Sequence, residues 1–154
     1  MATNNLDLVS NILDVKYTNG QGVKRDFEGA YKLLKIASDK GDIDATNNLG
    51  VFCVSGQGGV KQDFDEAHRV FKIAYDKDHV DATNNLGVLY AGVQGVEHDY
   101  EDYAEACKLF KIASDKGHVD ATNNLGIMYT DGKGVKKDYN EASRLFKIAI
   151  DQGH

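Results

Sequence analysis

The fold predicted for this sequence of 154 residues is an all-α solenoid of four helix–turn–helix repeats. Three observations predict it. The string Asp-Ala-Thr-Asn-Asn-Leu-Gly recurs unchanged at 44–50, 81–87 and 120–126, and self-similarity at such a period marks a repeat array. Apolar residues around the string fall at spacings of three and four, the period of one helix face. Gly-rich segments separate the helical stretches, and with no proline in the chain glycine supplies the backbone conformations that tight turns need.

Phased on that string, the repeats run 9–44, 45–81, 82–120 and 121–154, the last one shortened. In the first, Leu13, Tyr17, Gly20 and Gly22 stand where the fourth has Leu125, Tyr129, Gly132 and Gly134. Asp14 takes the place of Gly50, Gly87 and Gly126. Residues 1–8 precede the array, and Ala2-Thr3-Asn4-Asn5-Leu6 imitates a repeat start. They are expected to extend the first helix as a cap.

Each repeat reads as two helices. In the first, Asp44, Asp81 and Asp120 are expected as N-caps, and Ala, Leu and an aromatic residue follow at spacings of four on one face. The second helix is expected to open at Asp26, Asp63, Asp102 and Asp138, with Glu66, Glu105 and Glu141 in capping-box positions. Its buried face is Ala142, Leu145, Phe146 and Ala149, repeated in kind in every unit. Gly41, Gly117 and Gly153 are placed as C′ residues. Asp78 replaces that glycine in the second repeat, which predicts a frayed junction. Gly59 is an extra residue and Tyr100-Glu101 belongs to an insertion; both are assigned to turns, where repeats tolerate them.

The pattern Ala-x-x-x-Leu-Gly-x-x-Tyr, then Gly-x-Gly-Val-x-x-Asp, then Glu-Ala-x-x-Leu-Phe-x-x-Ala recurs in register over residues 9–154. It resembles the Sel1-like repeat (SLR) family, a relative of the tetratricopeptide repeats. The resemblance implies a right-handed superhelix with first helices on its concave side, and work as an adaptor that binds other proteins. There are departures. Leu34, Phe71, Phe110 and Phe146 stand where many members carry Trp or Tyr, and Val93 fills a turn position that is Gly20, Gly56 or Gly132 elsewhere. A cysteine-rich branch of the family pairs its helices by a disulfide in each repeat and is linked to penicillin binding. Cys53 and Cys107 sit at different positions of different repeats and do not reproduce that pairing. A β-lactam-binding or hydrolysing enzyme therefore ranks behind an adaptor, with a structural module lacking a ligand as the other alternative.

Composition narrows the partners. A net charge of -6 disfavours nucleic acid and anionic lipid, which select basic surfaces. No apolar run has the length of a membrane span, so no membrane insertion is expected. The start of the chain lacks the basic and apolar regions of a secretory signal, and two unpaired cysteines point to a reducing compartment. A cytoplasmic location, or delivery into a host cytoplasm, is the expectation.

Catalytic signatures are wanting. The Gly-x-Gly turns lack the Lys-Ser/Thr of a phosphate-binding loop and follow helices instead of strands. No Ser-x-x-Lys, Gly-x-Ser-x-Gly or His-Glu-x-x-His occurs. His79, His118 and His154 share one repeat position, but packed helices about 8–10 Å apart keep them from one metal, and they read as exposed junction residues. Cys53 reads as a small core residue, and Cys107 as partly exposed. No catalytic residue, metal or cofactor is expected. The basic series Lys32, Lys35, Arg69, Lys72, Lys108, Lys111, Arg144 and Lys147 lies opposite the apolar face of the second helices and reads as a solvated surface with ion pairs along the helix.

The polar feature left over is a ladder of asparagines. Asn11, Asn47, Asn84 and Asn123 share one position of the first helix, and Asn48, Asn85 and Asn124 follow them. One reading is structural: asparagine can satisfy free N–H groups in a first helical turn, and the second of each pair can bond across a repeat junction. The other comes from the family likeness, which directs the first asparagine into the concave groove together with Asp44, Asp81, Asp120, Val51, Val88 and Ile127. There the carboxamides would bind the backbone of an extended peptide, the valine and isoleucine row would give apolar contact, and the aspartates would favour a basic partner. Leu145, Ile148 and Ile150 have no later helix in the sequence to cover them, which adds an expectation of weak self-association through the last helix.

Overall fold

The structure, a computed structural model, describes residues 23–56, 60–92 and 98–153. The expected N-terminal cap, Asn11, Asp14, Gly59, Val93 and His154 lie outside the described residues. The chain divides into two compact units, Met1–His79 and Val80–His154. Among the described residues are seven α-helices and no strand. The first unit holds α1 (Val23–Asp39), α2 (Ile43–Ser55) and α3 (Phe64–Asp76). The second holds α4 (Val80–Gly92), α5 (Tyr100–Asp115), α6 (Val119–Asp131) and α7 (Tyr139–Gln152). The all-α repeat fold is thus confirmed.

Each unit is built around small residues that let helices approach. In the first, Ala30, Leu34 and Ala37 of α1 meet Ala45 and Leu49 of α2 and Val70 of α3. Phe52 stands edge-on to Phe27 at 5.9 Å between ring centroids, a favourable aromatic geometry. In the second, Ala106, Phe110 and Ala113 of α5 pack on Ala121, Leu125 and Met128 of α6, and Leu145 joins from α7.

The Leu-Gly pair follows from this packing. A Cβ at Gly87 would lie 2.7 Å from the ring of Phe110, and one at Gly126 would lie 2.7 Å from the ring of Phe146. At Gly50 it would collide with Phe71. Glycine inside a helix costs about 1 kcal/mol relative to alanine. Burying a phenylalanine ring returns about 2–3 kcal/mol, and Phe71 and Phe110 are almost wholly buried. The ring wins.

Several expected helix ends move. The first helices start earlier than their aspartates implied: Asp42 caps α2 and His118 caps α6, each two residues ahead of the expected cap, while Asp44, Asp81 and Asp120 lie within the first turn. Asp63 and Asp138 cap α3 and α7 as expected. Glu66 and Glu141 do not complete capping boxes, because each grips an arginine three residues on, Arg69 at 2.6 Å and Arg144 at 2.5 Å. The cap of α5 is Asp99, with Asp102 at N3 closing a true capping box. Tyr100-Glu101 therefore adds helix, making α5 16 residues long where α3 has 13. Asp26 falls inside α1, which already begins at Val23.

The Asp78 junction is not frayed. Asp78 takes the left-handed conformation itself, φ 63°, and the amide of His79 still donates to the carbonyl of Ala74 at 3.1 Å. Asp42 and His118 make the equivalent bonds after Gly41 and Gly117. An acidic residue tolerates this region at a cost that glycine avoids. Asp78→Gly should raise stability by roughly 1 kcal/mol, measurable by urea unfolding. Gly87→Ala should lower it by about 1–2 kcal/mol, since overpacking outweighs the gain in helix propensity; a fall in Tm by circular dichroism checks this, and Phe110→Leu in the same chain should recover part of the loss.

Candidate partner-binding face

The repeated string places its residues on α2, α4 and α6, and most of them turn inward. Ala45, Ala82 and Ala121 are completely buried. Thr46 Oγ1 donates to the Asp42 carbonyl at 2.9 Å and lies 2.6 Å from Ser38 Oγ, tying α1 to α2. Thr122 repeats this with the His118 carbonyl and Ser114 of α5. Two β-branched threonines inside helices are thus explained by the bonds between helices that they complete.

The junction histidines His79 and His118 are not the exposed residues expected of them. The side chains of His79 and His118 are only 14% and 15% exposed. His79 Nε2 lies 2.7 Å from Asp44 Oδ1, and His118 Nε2 lies 3.0 Å from Asp81 Oδ1. His118 Nδ1 also accepts the Ala121 amide at 3.1 Å. That second bond uses the Nδ1 lone pair, which leaves Nε2 to face Asp81 as the donor. The one signal in the sequence was the shared register of histidine and aspartate about one repeat apart.

The predicted binding residues divide by exposure. Asn47 and Asn84 are buried, at 6% and 7%, whereas Asn123 is exposed. Asn84 Oδ1 accepts from Asn124 Nδ2 at 3.1 Å, a bond between successive first helices of the second unit. That is the junction bond expected of the second asparagine. Asp44, Asp81 and Asp120 are all exposed. So are Val51, Val88 and Ile127, at 45%, 40% and 43%. On α4 and α6 the structure brings Asp81 and Asp120, Asn84 and Asn123, Val88 and Ile127 to equivalent helical positions one repeat apart.

Other groups fall into place as packing or surface. Cys53 is buried as expected. Cys107 is buried too, against expectation, because its thiol donates to the Lys133 carbonyl at 3.2 Å. Burial pushes the Cys107 thiol up to about 11 and raises that of Cys53, the latter with help from Glu66. Both cysteines are free. Of the basic series, Lys32, Arg69, Lys72, Lys111 and Arg144 each pair with a carboxylate of their own helix. The hydrogen-bonded arginines hold the carboxyls of Glu66 and Glu141 below the usual range. Among the described residues no group of three or more His, Cys, Asp or Glu could hold a metal ion, and no helix is long and apolar enough to cross a membrane.

The Sel1 repeat model matches the chain four times, at 17–42, 43–79, 80–118 and 119–154. Its last three segments start at the first helical residues Ile43, Val80 and Val119. A Sel1 repeat protein from Oxalobacter formigenes is 33% identical, with a TM-score of 0.75 over 98% of this chain and 59% of its own. A protective antigen present in uropathogenic Escherichia coli strains, displaying an SLR fold, is 29% identical, with a TM-score of 0.75 over 99% of this chain and 34% of its own. The chain thus spans less than two thirds of either protein. Cysteine-rich protein B of Helicobacter pylori shares the fold at 21% identity and a TM-score of 0.61, covering 88% of this chain and 94% of its own. No curated protein sequence matches the chain.

His118→Ala should cost about 1–2 kcal/mol, since it removes a helix cap and the donor to Asp81 together. His118→Asn, which keeps a capping oxygen, should recover part of that in the same unfolding measurement. Cys53 and Cys107 should resist iodoacetamide in the native protein at about pH 8 and react once urea unfolds it, as burial and raised pKa both withhold the thiolate.

Proposed function

We propose, from the premise that this chain belongs to the Sel1-repeat family, that it is a scaffold binding a protein or extended peptide through the exposed side of its first helices. Sel1-repeat proteins generally mediate protein–protein interactions. The observation that carries the reading is that Val51, Val88 and Ile127, branched apolar side chains at one position of the repeat, are each left 40–45% exposed. Scattered exposed aliphatics need no explanation, but the same exposure at equivalent positions of three repeats does. Each lies seven residues from an exposed aspartate on its helix, Asp44, Asp81 or Asp120, and that spacing is about two helical turns on one face.

The partner suited to the α4 and α6 face of the second unit has apolar side chains for Val88 and Ile127 and basic ones for Asp81 and Asp120. Asp44 and Asp81 share their carboxylates with His79 and His118 yet remain 67% exposed, so they still offer negative potential outward. Of the carboxamides, Asn123 is the one open to a ligand, and Asn47 and Asn84 serve inside the fold. Weak self-association belongs to the same reading, carried by Ile150 of α7, which is 62% exposed. Binding without catalysis accounts for a polar surface spent on caps, junctions and ion pairs.

The test is a pair of charge insertions. Val88→Lys with Ile127→Lys should abolish capture of a basic, apolar peptide selected from a display library while Tm shifts by less than about 2 °C, surface substitutions being nearly neutral for folding. Unchanged capture would sink the assignment of this face. Ile150→Lys should leave capture intact and remove any dependence of sedimentation on concentration.

A further inference from the structure

The pentapeptide Ala-Thr-Asn-Asn-Leu occurs four times in the chain, at 2–6, 45–49, 82–86 and 121–125. In α2 and α6 it seats the helix on the second helix of the preceding repeat. Ala45 and Leu49 bury against Ala30, Leu34 and Ala37 of α1, and Thr46 Oγ1 lies 2.6 Å from Ser38 Oγ. Ala121 and Leu125 bury against Ala106, Phe110 and Ala113 of α5, and Thr122 Oγ1 lies 2.7 Å from Ser114 Oγ. The copy at 2–6 follows Met1 directly, so within these 154 residues no preceding second helix is there to receive it.

On α7 the matching surface is open. Its Phe146, Ala149 and Ile150 align with Phe110, Ala113 and Ser114 of α5, the residues that receive α6. Phe110 and Ala113 are buried, whereas Phe146 is only half-buried and Ile150 is 62% exposed. Ile150 stands where α1 and α5 have Ser38 and Ser114, so the surface of α7 is apolar at the point where those helices share a hydroxyl pair with the incoming threonine. Gly153-His154 repeats Gly117-His118, and His118 caps the docked helix by accepting the Ala121 amide at 3.1 Å. One chain thus carries both a surface shaped for this pentapeptide and a spare copy of it. The surface belongs to the second unit and the spare copy to the first.

We infer that the chain associates head to tail, residues 2–6 of one copy docking on α7 of another. The inference rests on the self-association read from Ile150 and names what meets that residue. Ala2 and Leu6 take the places of Ala121 and Leu125 against Phe146 and Ala149. Thr3 turns its methyl group to Ile150, and His154 receives the Ala2 amide. A contact between two different surfaces of one chain does not close at two copies, because each copy keeps a free head or a free tail. A contact of α7 with a second α7 uses one patch twice and stops at a dimer.

Sedimentation equilibrium of variants, alone and mixed, tests this. The average mass of the intact chain should rise with concentration past that of a dimer. Ala2→Glu puts a charge at a position where Ala45, Ala82 and Ala121 are completely buried, and it should leave the chain monomeric. Ile150→Lys should do the same. Mixed one to one, the two variants should form a heterodimer and nothing larger, since A2E keeps an intact α7 and I150K an intact pentapeptide. Its association constant should match one step of the intact chain within about twofold, both substitutions lying away from the restored contact. Leu6→Lys should replace A2E in every result, and all three variants should melt as the intact chain does at low concentration. Self-association that survives A2E and L6K but not I150K would put another surface on α7, overturning the head-to-tail contact and leaving self-association standing. A mixture that stays monomeric would overturn it too. An intact chain monomeric at every concentration would remove both readings; if A2E and I150K then also lowered its Tm, the pentapeptide would sit on α7 of its own copy.

Discussion

The contact between a phenylalanine ring and a glycine at the middle of the neighbouring helix sets the geometry of the pairs α2–α3, α4–α5 and α6–α7. Phe71 on Gly50, Phe110 on Gly87 and Phe146 on Gly126 bring the two helices of a repeat close enough that a single methyl group would intrude. With the approach fixed, Ala45, Ala82 and Ala121 bury completely, and a threonine one residue later reaches the preceding helix where Ser38 or Ser114 is present. Small residues on one helix and a large ring on the other are thus one constraint seen from two sides.

On that frame the polar residues are divided between holding the array together and facing outward. His118 uses both ring nitrogens, one to cap its own helix and one to reach the aspartate of the preceding repeat. Asn84 and Asn124 link successive first helices. Among the groups the frame leaves outside, each of α2, α4 and α6 carries one exposed aliphatic, Val51, Val88 or Ile127, and one exposed aspartate, Asp44, Asp81 or Asp120.

The repeat fold was legible because its cause is periodic. Leu49, Leu86 and Leu125 recur at core positions, and the phenylalanines of the second helices recur with them. Helix starts were harder to read. Asp44 and its equivalents look like caps, but the peptide before them already turns helical, and Asp42 and His118 supply the acceptor. A histidine capping through Nδ1 is not a pattern that propensity reveals. Tyr100-Glu101 looked like loop because it interrupts the period, yet Asp99 offered an earlier cap and the helix grew to meet it. Cys107 stood at a variable position that suggested exposure, and only the approach of the fourth turn, with the Lys133 carbonyl over the thiol, buries it. The candidate face was half legible: its aspartates and aliphatics are open, but the burial of Asn47 and Asn84 depends on neighbouring helices that no local pattern describes.

The histidine–aspartate bridge has a genetic consequence. His79 and His118 each find an acceptor about one unit back along the chain, 35 and 37 residues away, and both acceptors open the same heptapeptide. Unequal recombination between two copies of that string would delete or add a whole unit and leave the new neighbours already matched in donor and acceptor. A chain wired in this way can change its number of repeats in one step, with each seam as well bonded as before.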